Sequence, residues 1–244
     1  MVQDCWVKNF PIMISLIHPS RGRPQKAFTT AKKWIENAGV EVEYILSLDY
    51  NDPSLEGYSI IGLRGDTSGT STLLKNNNRS AVDAINKASE YCKGDILVVM
   101  SDDFDCSENW AKQIIEATQG KQDWILKTPD GIQKWIITLP IMDRKYYNRF
   151  GYIYFPDYLH MFCDTELSCV ADLTGRKIEA NIQFTHNHYS IGKSPKDEIS
   201  ERADKTWEQG KKLFIQRYKE NFGLTETNGI IKEQAMVNWI VKNG

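Results

Sequence analysis

Ile96-Leu97-Val98-Val99-Met100-Ser101-Asp102-Asp103-Phe104-Asp105 decides the reading of this chain. Its first five residues are apolar without a break. Such a run predicts a strand covered on both faces, as central strands of a parallel sheet are. Three carboxylates follow within four positions. Their mutual repulsion costs free energy unless solvent or a cation relieves it. A hard divalent cation, Mn2+ or Mg2+, suits carboxylates acting together with diphosphate oxygens. A solvated acidic turn is the plain alternative. The position favours the ion, because open α/β sheets bind ligands beyond the carboxyl ends of their strands.

Working toward the N-terminus, Ile12–Ile17 reads as a buried strand between Pro11 and His18-Pro19-Ser20. The loop Ser20–Pro24 follows. Gln25–Ala38 then has Ala27, Ala31, Trp34, Ile35 and Ala38 at helical spacing, and Gly39 ends it. Val42–Leu48 predicts a second strand closed by Asp49–Pro53, and Tyr58–Leu63 a shorter third. Positions 64–72 predict a loop. Ser80–Tyr91 predicts a helix with Ala81, Ala84, Ile85 and Ala88 on one face. The order β-α-β-β-α-β is that of a layered α/β half-domain. Three of its strand ends carry polar clusters: Ser20–Arg23, Asp49–Asp52 and Ser101–Asp105. Gly62–Thr72 is glycine-rich but lacks the Gly-Lys-Ser/Thr ending of a P-loop.

Toward the C-terminus, Asn109–Ala117 and Asp164–Leu173 predict helices. Trp124–Thr128, Trp135–Leu139 and Lys177–Phe184 predict strands, and Lys196–Asn221 a charged helix. The tryptophans are spread along the chain and read mostly as core. Trp110 and Trp135 are the two that could offer a flat face to a sugar.

A net charge of −2 over 244 residues, with 25% charged, is that of an ordinary globular protein and excludes a domain-wide nucleic-acid face. Pro11–Ile17 is too short to span a membrane and lacks the pattern of a secretory signal, so a cytoplasmic protein is expected. Five cysteines without a CxxC predict free thiols and no cysteine zinc site.

The acidic strand end resembles that of the glycosyltransferases of the GT-A fold, the inverting family 2 group above all. Their hallmark is an Asp-X-Asp motif after a hydrophobic strand, and Asp103-Phe104-Asp105 fits it literally. Ser101 stands where the more usual wording has a further Asp, so which of Asp102, Asp103 and Asp105 approach the metal stays open. The resemblance, carried by the order of the elements, covers about the first two-thirds of the chain. It implies an α/β fold of GT-A type, with a mostly parallel, Rossmann-like central sheet flanked by helices. It implies one catalytic domain over 1–190, with 1–105 binding the nucleotide sugar and 106–190 the acceptor. Positions 191–244 would add a mostly helical extension. It places Pro19, Ser20, Arg21 and Arg23 in the donor-binding turn, Asp49 at the donor base, and Asn78 and Arg79 near the ribose and diphosphate. By the same resemblance Asp102 would join the donor contacts, and Asp103 and Asp105 are the expected metal ligands.

The second motif is Phe162-Cys163-Asp164-Thr165-Glu166-Leu167. It resembles the family's acceptor-side acid motif, often Glu-Asp, with Cys163 replacing the Glu. That makes Asp164 the expected catalytic base and Glu166 its competitor. An Asp at a helix start can equally cap the helix. The third motif is His186-Asn187-His188. Alternate residues of a strand share a face, so both imidazoles can point one way. His188 is the preferred extra metal ligand, with Lys193 reaching the diphosphate as 189–195 closes.

The implied activity is metal-dependent, inverting transfer of a sugar from a nucleotide sugar, a UDP-sugar favoured. The acceptor would be a glycan, a lipid-linked sugar, a nucleic acid or a small molecule. The alternatives are a sugar-phosphate nucleotidyltransferase, faintly suggested by Ser20–Lys26, and an inactive nucleotide- or carbohydrate-binding module.

Overall fold

The computed structural model describes residues 12–58 and 70–243. β1 (Ile14–Pro19) is buried almost throughout. α1 (Pro24–Glu36) follows, with proline in its first turn, where the missing N–H costs nothing, and buries Ala27, Ala31 and Trp34. β2 (Val42–Asp49) pairs in parallel with β1, and β3 (Ser71–Asn76) in parallel with β2. α2 (Ala81–Ser89) is capped by Ser80, whose side chain accepts from the N–H of Asp83. β4 (Ile96–Val99), the apolar run, lies parallel to β1 on its other side.

Beyond the acidic turn come β5 (Phe104–Cys106), α3 (Trp110–Thr118), β6 (Ile125–Lys127) and β7 (Ile141–Asp143). α4 (Arg144–Phe150), α5 (Cys163–Leu173), β8 (Lys177–Glu179) and β9 (Phe184–His186) follow. The chain closes with α6 (Glu198–Asp204), α7 (Trp207–Lys219) and α8 (Gln234–Lys242).

The seven-stranded sheet has the order β3-β2-β1-β4-β7-β6-β8. Alternation along β4 splits the core in two. Leu97 and Val99 face a layer containing Val82 and Ile85 of α2, Leu167 and Val170 of α5, Phe214 of α7, and Val237 and Ile240 of α8. Ile96 and Val98 face α1 and α3 through Trp34, Trp110 and Ile114.

The expected Rossmann-like central sheet is corrected in two respects. β7 runs antiparallel to both of its neighbours, β4 and β6. A second, two-stranded sheet pairs β5 with β9, antiparallel, setting Phe104 opposite His186. The chain leaves the main sheet at the acidic turn, and the ladder of this small sheet draws the histidine segment alongside it.

Other expectations shift as well. The third strand lies at 71–76; positions 59–63 of the expected Tyr58–Leu63 lie outside the described residues. Trp135–Leu139 is not a strand but an irregular segment pinned by side chains. The Trp135 indole donates to Asp172, and Ser168 Oγ accepts from the N–H of Ile137. Lys177–Phe184 divides into β8 and β9 in different sheets, and Lys196–Asn221 divides into α6 and α7. The four described cysteines are buried and free. Among the described residues no helix is long and apolar enough to cross a membrane.

Candidate functional site

One cavity of about 570 Å³ opens at the carboxyl ends of β1, β2 and β4. Pro19, Ser20, Arg21 and Arg23 line it from the turn after β1, Asp49 from the end of β2, and Arg79 from the start of α2. The acidic turn lines its floor with Asp102 and Asp103. Asp164 at the start of α5, His186, His188 and a face of α6 complete it.

The three acids of the turn have three different surroundings. Asp102 is buried, and both of its oxygens are engaged: His18 Nε2 lies 2.8 Å from one, and Ser20 Oγ donates to the other at 2.8 Å. His18 is fully buried, and its Nδ1 lies 2.8 Å from the Tyr44 hydroxyl. This network fastens the turn to β1 and β2. Asp103 accepts from Ser101 Oγ at 2.6 Å and faces His186 Nε2 at 3.3 Å. Burial works to raise the Asp103 carboxyl, but the hydrogen bond and charge of His186, with help from Ser101 and Lys26, hold it well below the usual carboxylate range. Asp105 turns outward. It pairs with Lys33 Nζ at 2.7 Å and accepts from Asn187 Nδ2 at 3.1 Å, with 46% of its side chain exposed.

His186 is the histidine that meets the acid. Its ring stacks on Phe104, with centroids 4.1 Å apart, because β9 pairs with β5. His188, the preferred ligand of the sequence reading, lies 4.9 Å beyond, ring to ring, with Nδ1 at 2.7 Å from Ser190 Oγ. Burial, followed by the neighbouring His186, pushes its imidazole toward the neutral form despite the acids nearby. Among the described residues no three His, Cys, Asp or Glu side chains gather as a metal cage. Asp103 and His186 supply one carboxylate and one imidazole. That donor set fits Mn2+ or Mg2+ when diphosphate oxygens and water fill the other positions. Asp105 is not part of it.

At the β2 end the structure joins three of the expected donor residues. Arg21 donates to Asp49 Oδ2 at 2.7 Å, and Asn78 Nδ2 donates to Asp49 Oδ1 at 2.7 Å. Arg21 also donates to Asn51. Arg23 instead forms a two-pronged pair with Asp197, the N-cap of α6, at 2.7 and 2.6 Å. Arg79 is drawn along its own helix to Asp83 and to the carbonyl of Pro156, with 60% of its side chain exposed. Lys193 sits exposed on the bend after the short turn Tyr189–Ile191 and does not line the cavity.

On the opposite wall, Asp164 lies inside the first turn of α5, whose N-cap is Phe162 in the left-handed region at φ 72°. Its Oδ1 accepts from the N–H of Thr165 at 2.8 Å. Burial raises this carboxyl, against the lowering effects of Thr165 and His160. Glu166 points away into the helical layer. Arg217 Nη2 reaches it at 2.9 Å and the Tyr158 hydroxyl at 2.8 Å, so the competing base is neutralised inside the core.

Sequence reasoning missed His160, which lines the cavity near Asp164, and the wall from α6. It also passed over His18. A histidine ending an apolar strand beside Ser20 was a usable signal for that one. The helix over Lys196–Asn221 was expected, but nothing in the sequence signalled that its first part, α6, would face acids almost a hundred residues away.

No protein-family model matches the sequence, and no curated protein does. Solved structures do match. One is the mannosyltransferase PcManGT from Pyrobaculum calidifontis in complex with GDP-Man and Mn2+, with TM-score 0.63 and 12% identity over 90% of this chain and 66% of that one. Another is S. aureus TarS 1–349 in complex with UDP-GlcNAc, with TM-score 0.63 and 13% identity over 95% of this chain and 71% of that one. At such identity the likeness shows the fold alone. The present chain spans about two-thirds of the length of the first of them.

The assignment to the GT-A fold and family 2 is corrected accordingly. No family model supports it, and the similarity to these structures carries no family with it. The Asp-X-Asp pair on which it leaned is split: Asp103 faces the cavity while Asp105 faces Lys33 outside it. The fold is one shared with the PcManGT and TarS structures, and that coarser statement stands in place of the finer one.

Proposed function

We propose that this chain transfers a sugar from a nucleoside-diphosphate sugar, a UDP-sugar favoured, to an acceptor hydroxyl with inversion and with a divalent cation. One observation carries the reading: Asp103 with His186, and Asp164, face the same strand-end cavity. The fold is shared with a mannosyltransferase solved with GDP-Man and Mn2+ and with TarS solved with UDP-GlcNAc.

In this reading the Arg21–Asp49–Asn78 group receives the nucleoside, and Arg23 turns from Asp197 toward the phosphates. Asp103 and His186 hold the cation, with His188 next in line. A bound cation would offset the negative charge that grows on the departing diphosphate. Asp102, held by His18 and Ser20, keeps the turn in place. Asp164 takes the proton of the acceptor hydroxyl as its oxygen attacks the anomeric carbon and the bond to the diphosphate breaks on the far side. Its raised proton affinity suits a base. Residues 1–105 serve the donor and 106–190 the acceptor, while α6 from the C-terminal extension closes the cavity.

The test is to incubate the chain with UDP- and GDP-sugars and Mn2+, Mg2+ or a chelator. Release of free nucleoside diphosphate that depends on the metal is expected. Pyrophosphate as the product would replace this reading with nucleotidyl transfer. Absence of any turnover with every donor would favour a binding module.

A further inference from the structure

Trp110 and Trp135, the two rings considered for a sugar, are buried in the core. The wall that α6 adds to the cavity is held unequally at its two ends, and its seven residues bury no side chain. The C-terminal end is anchored. Thr206 Oγ1 accepts from the N–H of Met161 at 3.1 Å, and Asp204 accepts from the Tyr189 hydroxyl and pairs with Lys196. The helix that follows, α7, packs so closely that a Cβ at Gly210 would collide with the Met161 carbonyl oxygen, and it buries Phe214 and Arg217. The N-terminal end rests on the turn after β1. A Cβ at Gly22 would stand 3.7 Å from Ile199 Cδ1, and Asp197 takes both prongs of Arg23 at 2.7 and 2.6 Å. A helix with one firm end, one ionic end and no buried side chain can swing without disturbing the core.

Arg23 stands between two sets of acids. Burial disfavours its charge, whereas Asp197 and, beyond it, the charges of Asp102 and Asp103 favour it. The guanidinium therefore lies within the field of the acidic turn, where the diphosphate and its cation are proposed to sit. A planar guanidinium grips a carboxylate or a phosphate through the same two parallel N–H···O bonds. Burial works to raise the Asp197 carboxyl, but the hydrogen bonds from Arg23 and Ser200 hold it down at about 2. It stays an anion near neutral pH, so another anion has to displace it from Arg23.

Resting on the transfer reading above, we propose that Asp197 holds the place of a donor phosphate on Arg23, and that α6 is a latch which the nucleoside diphosphate releases. Arg23 cannot give the same pair of N–H groups to Asp197 and to a phosphate, so donor binding and the latched position of α6 exclude each other. A diphosphate carries more charge than one carboxylate, which favours it in that exchange. Once released, α6 turns about its anchored end at Thr206.

The experiment titrates UDP and GDP with Mn2+ by calorimetry and follows amide hydrogen exchange over 198–204 in three chains. Asp197→Asn keeps the cap of α6, since Asn caps as Asp does, but drops the charge. It should lower Kd for the nucleotide that binds about fivefold, the order of one partly exposed ion pair. Arg23→Ala should raise Kd about tenfold. Both variants should exchange over 198–204 about as fast without nucleotide as the wild-type chain does when saturated with it. Opposite shifts in affinity with the same release of α6 separate a latch from general loosening. An unchanged Kd in Asp197→Asn would overturn the latch, as would wild-type exchange over 198–204 that nucleotide leaves unaltered. A raised Kd in Asp197→Asn with exchange slowed by nucleotide would overturn it too, making the pair a clasp that closes α6 over the donor. If neither nucleotide binds the wild-type chain or Asp197→Asn, the donor reading itself fails and takes the latch with it.

Discussion

The two walls of the cavity are built in different ways. One comprises the ends of β1, β2 and β4, whose positions are fixed by parallel ladders and by a buried chain of bonds from Tyr44 through His18 and Asp102 to Ser20. Displacing any of those side chains means breaking strand pairing or leaving a buried polar group unsatisfied. The other wall comprises the start of α5, the His186–His188 segment and the seven-residue α6. Its outer part is tied by a few ion pairs and hydrogen bonds: Arg23 to Asp197, Tyr189 to Asp204 and Lys196 to Asp204. The Lys196–Asp204 pair is largely exposed and contributes little; the two-pronged Arg23–Asp197 pair is part-buried and is the firmer tie. On the proposed reading, nucleotide recognition at the first wall should therefore be stiff and tolerant of change elsewhere, while the second wall, proposed for the acceptor, can be opened or retuned by single substitutions.

The largest expected effect tests the proposed acceptor wall at the start of α5. Asp164→Asn keeps size and most hydrogen bonding but cannot take a proton, so kcat should fall on the order of 10²–10⁴-fold. Nucleoside diphosphate affinity should stay close to wild type, because those contacts lie on the strand-end wall. Burial raises the Asp164 carboxyl. A base works deprotonated, so kcat/KM should climb with pH through an inflection above the ordinary carboxylate value of about 3.9, and this limb should vanish from the residual activity of the variant. An unchanged kcat would return Asp164 to a purely structural role in the first turn of α5.

Asp103→Ala tests the strand-end wall and should rank next. Removing the carboxylate would take away one of the two proposed side-chain ligands and strip His186 of its hydrogen-bond partner. Metal-dependent donor turnover should fall on the order of 10²–10³-fold, comparable to losing one preorganised electrostatic contact. The far-ultraviolet circular dichroism should not change, since β4 and its ladder do not depend on this side chain. Wild-type turnover at saturating Mn2+ would move the metal elsewhere.

The same contrast explains what could be read from the sequence. β1, β2, α1, α2 and β4 announce themselves by runs or periods long enough to average out noise, and Ser20, Arg21, Arg23, Asp49, Asp102 and Asp103 from the three polar strand ends line one cavity, while Asp105 does not. The second half is made of three-residue strands and pinned loops. Trp135–Leu139 has the composition of a strand, yet Asp172 and Ser168 hold it otherwise, and both lie over thirty residues away. Glu166 stood as the competitor of Asp164, because helix positions two apart differ in face and only packing tells which one meets Arg217. The approach of His186 to Asp103 depends on the β5–β9 ladder, a pairing between three-residue strands that no local pattern encodes.

A smaller effect is expected at the end of β2. Asp49→Ala releases both Arg21 and Asn78 at once. Loss of one charge-assisted anchor should weaken nucleoside diphosphate binding roughly tenfold, read by calorimetry with UDP and GDP. If UDP alone loses affinity, Asp49 reads the base; if both lose it equally, the residue serves to orient Arg21.

The smallest effect is the most informative about the acidic turn. A literal Asp-X-Asp metal site would make Asp105 as important as Asp103. The structure separates them: Asp103 lies under His186 and faces the cavity, whereas Asp105 has 46% of its side chain exposed and engages Lys33 and Asn187 on the outer side of the small sheet. Asp105→Asn retains an acceptor for one of those contacts and removes only a surface ion pair, worth about 0–1 kcal/mol. Turnover and the Mn2+ concentration for half-maximal rate should both stay within about threefold of wild type, the range such a pair can account for. Measuring metal titrations for Asp103→Ala and Asp105→Asn side by side gives the ratio directly. A large rise in the Mn2+ requirement of Asp105→Asn would mean that the turn rearranges on binding donor and brings Asp105 inward. A flat response assigns the metal to the side of the turn that His186 faces and leaves Asp105 with the fastening of β5 to α1 through Lys33.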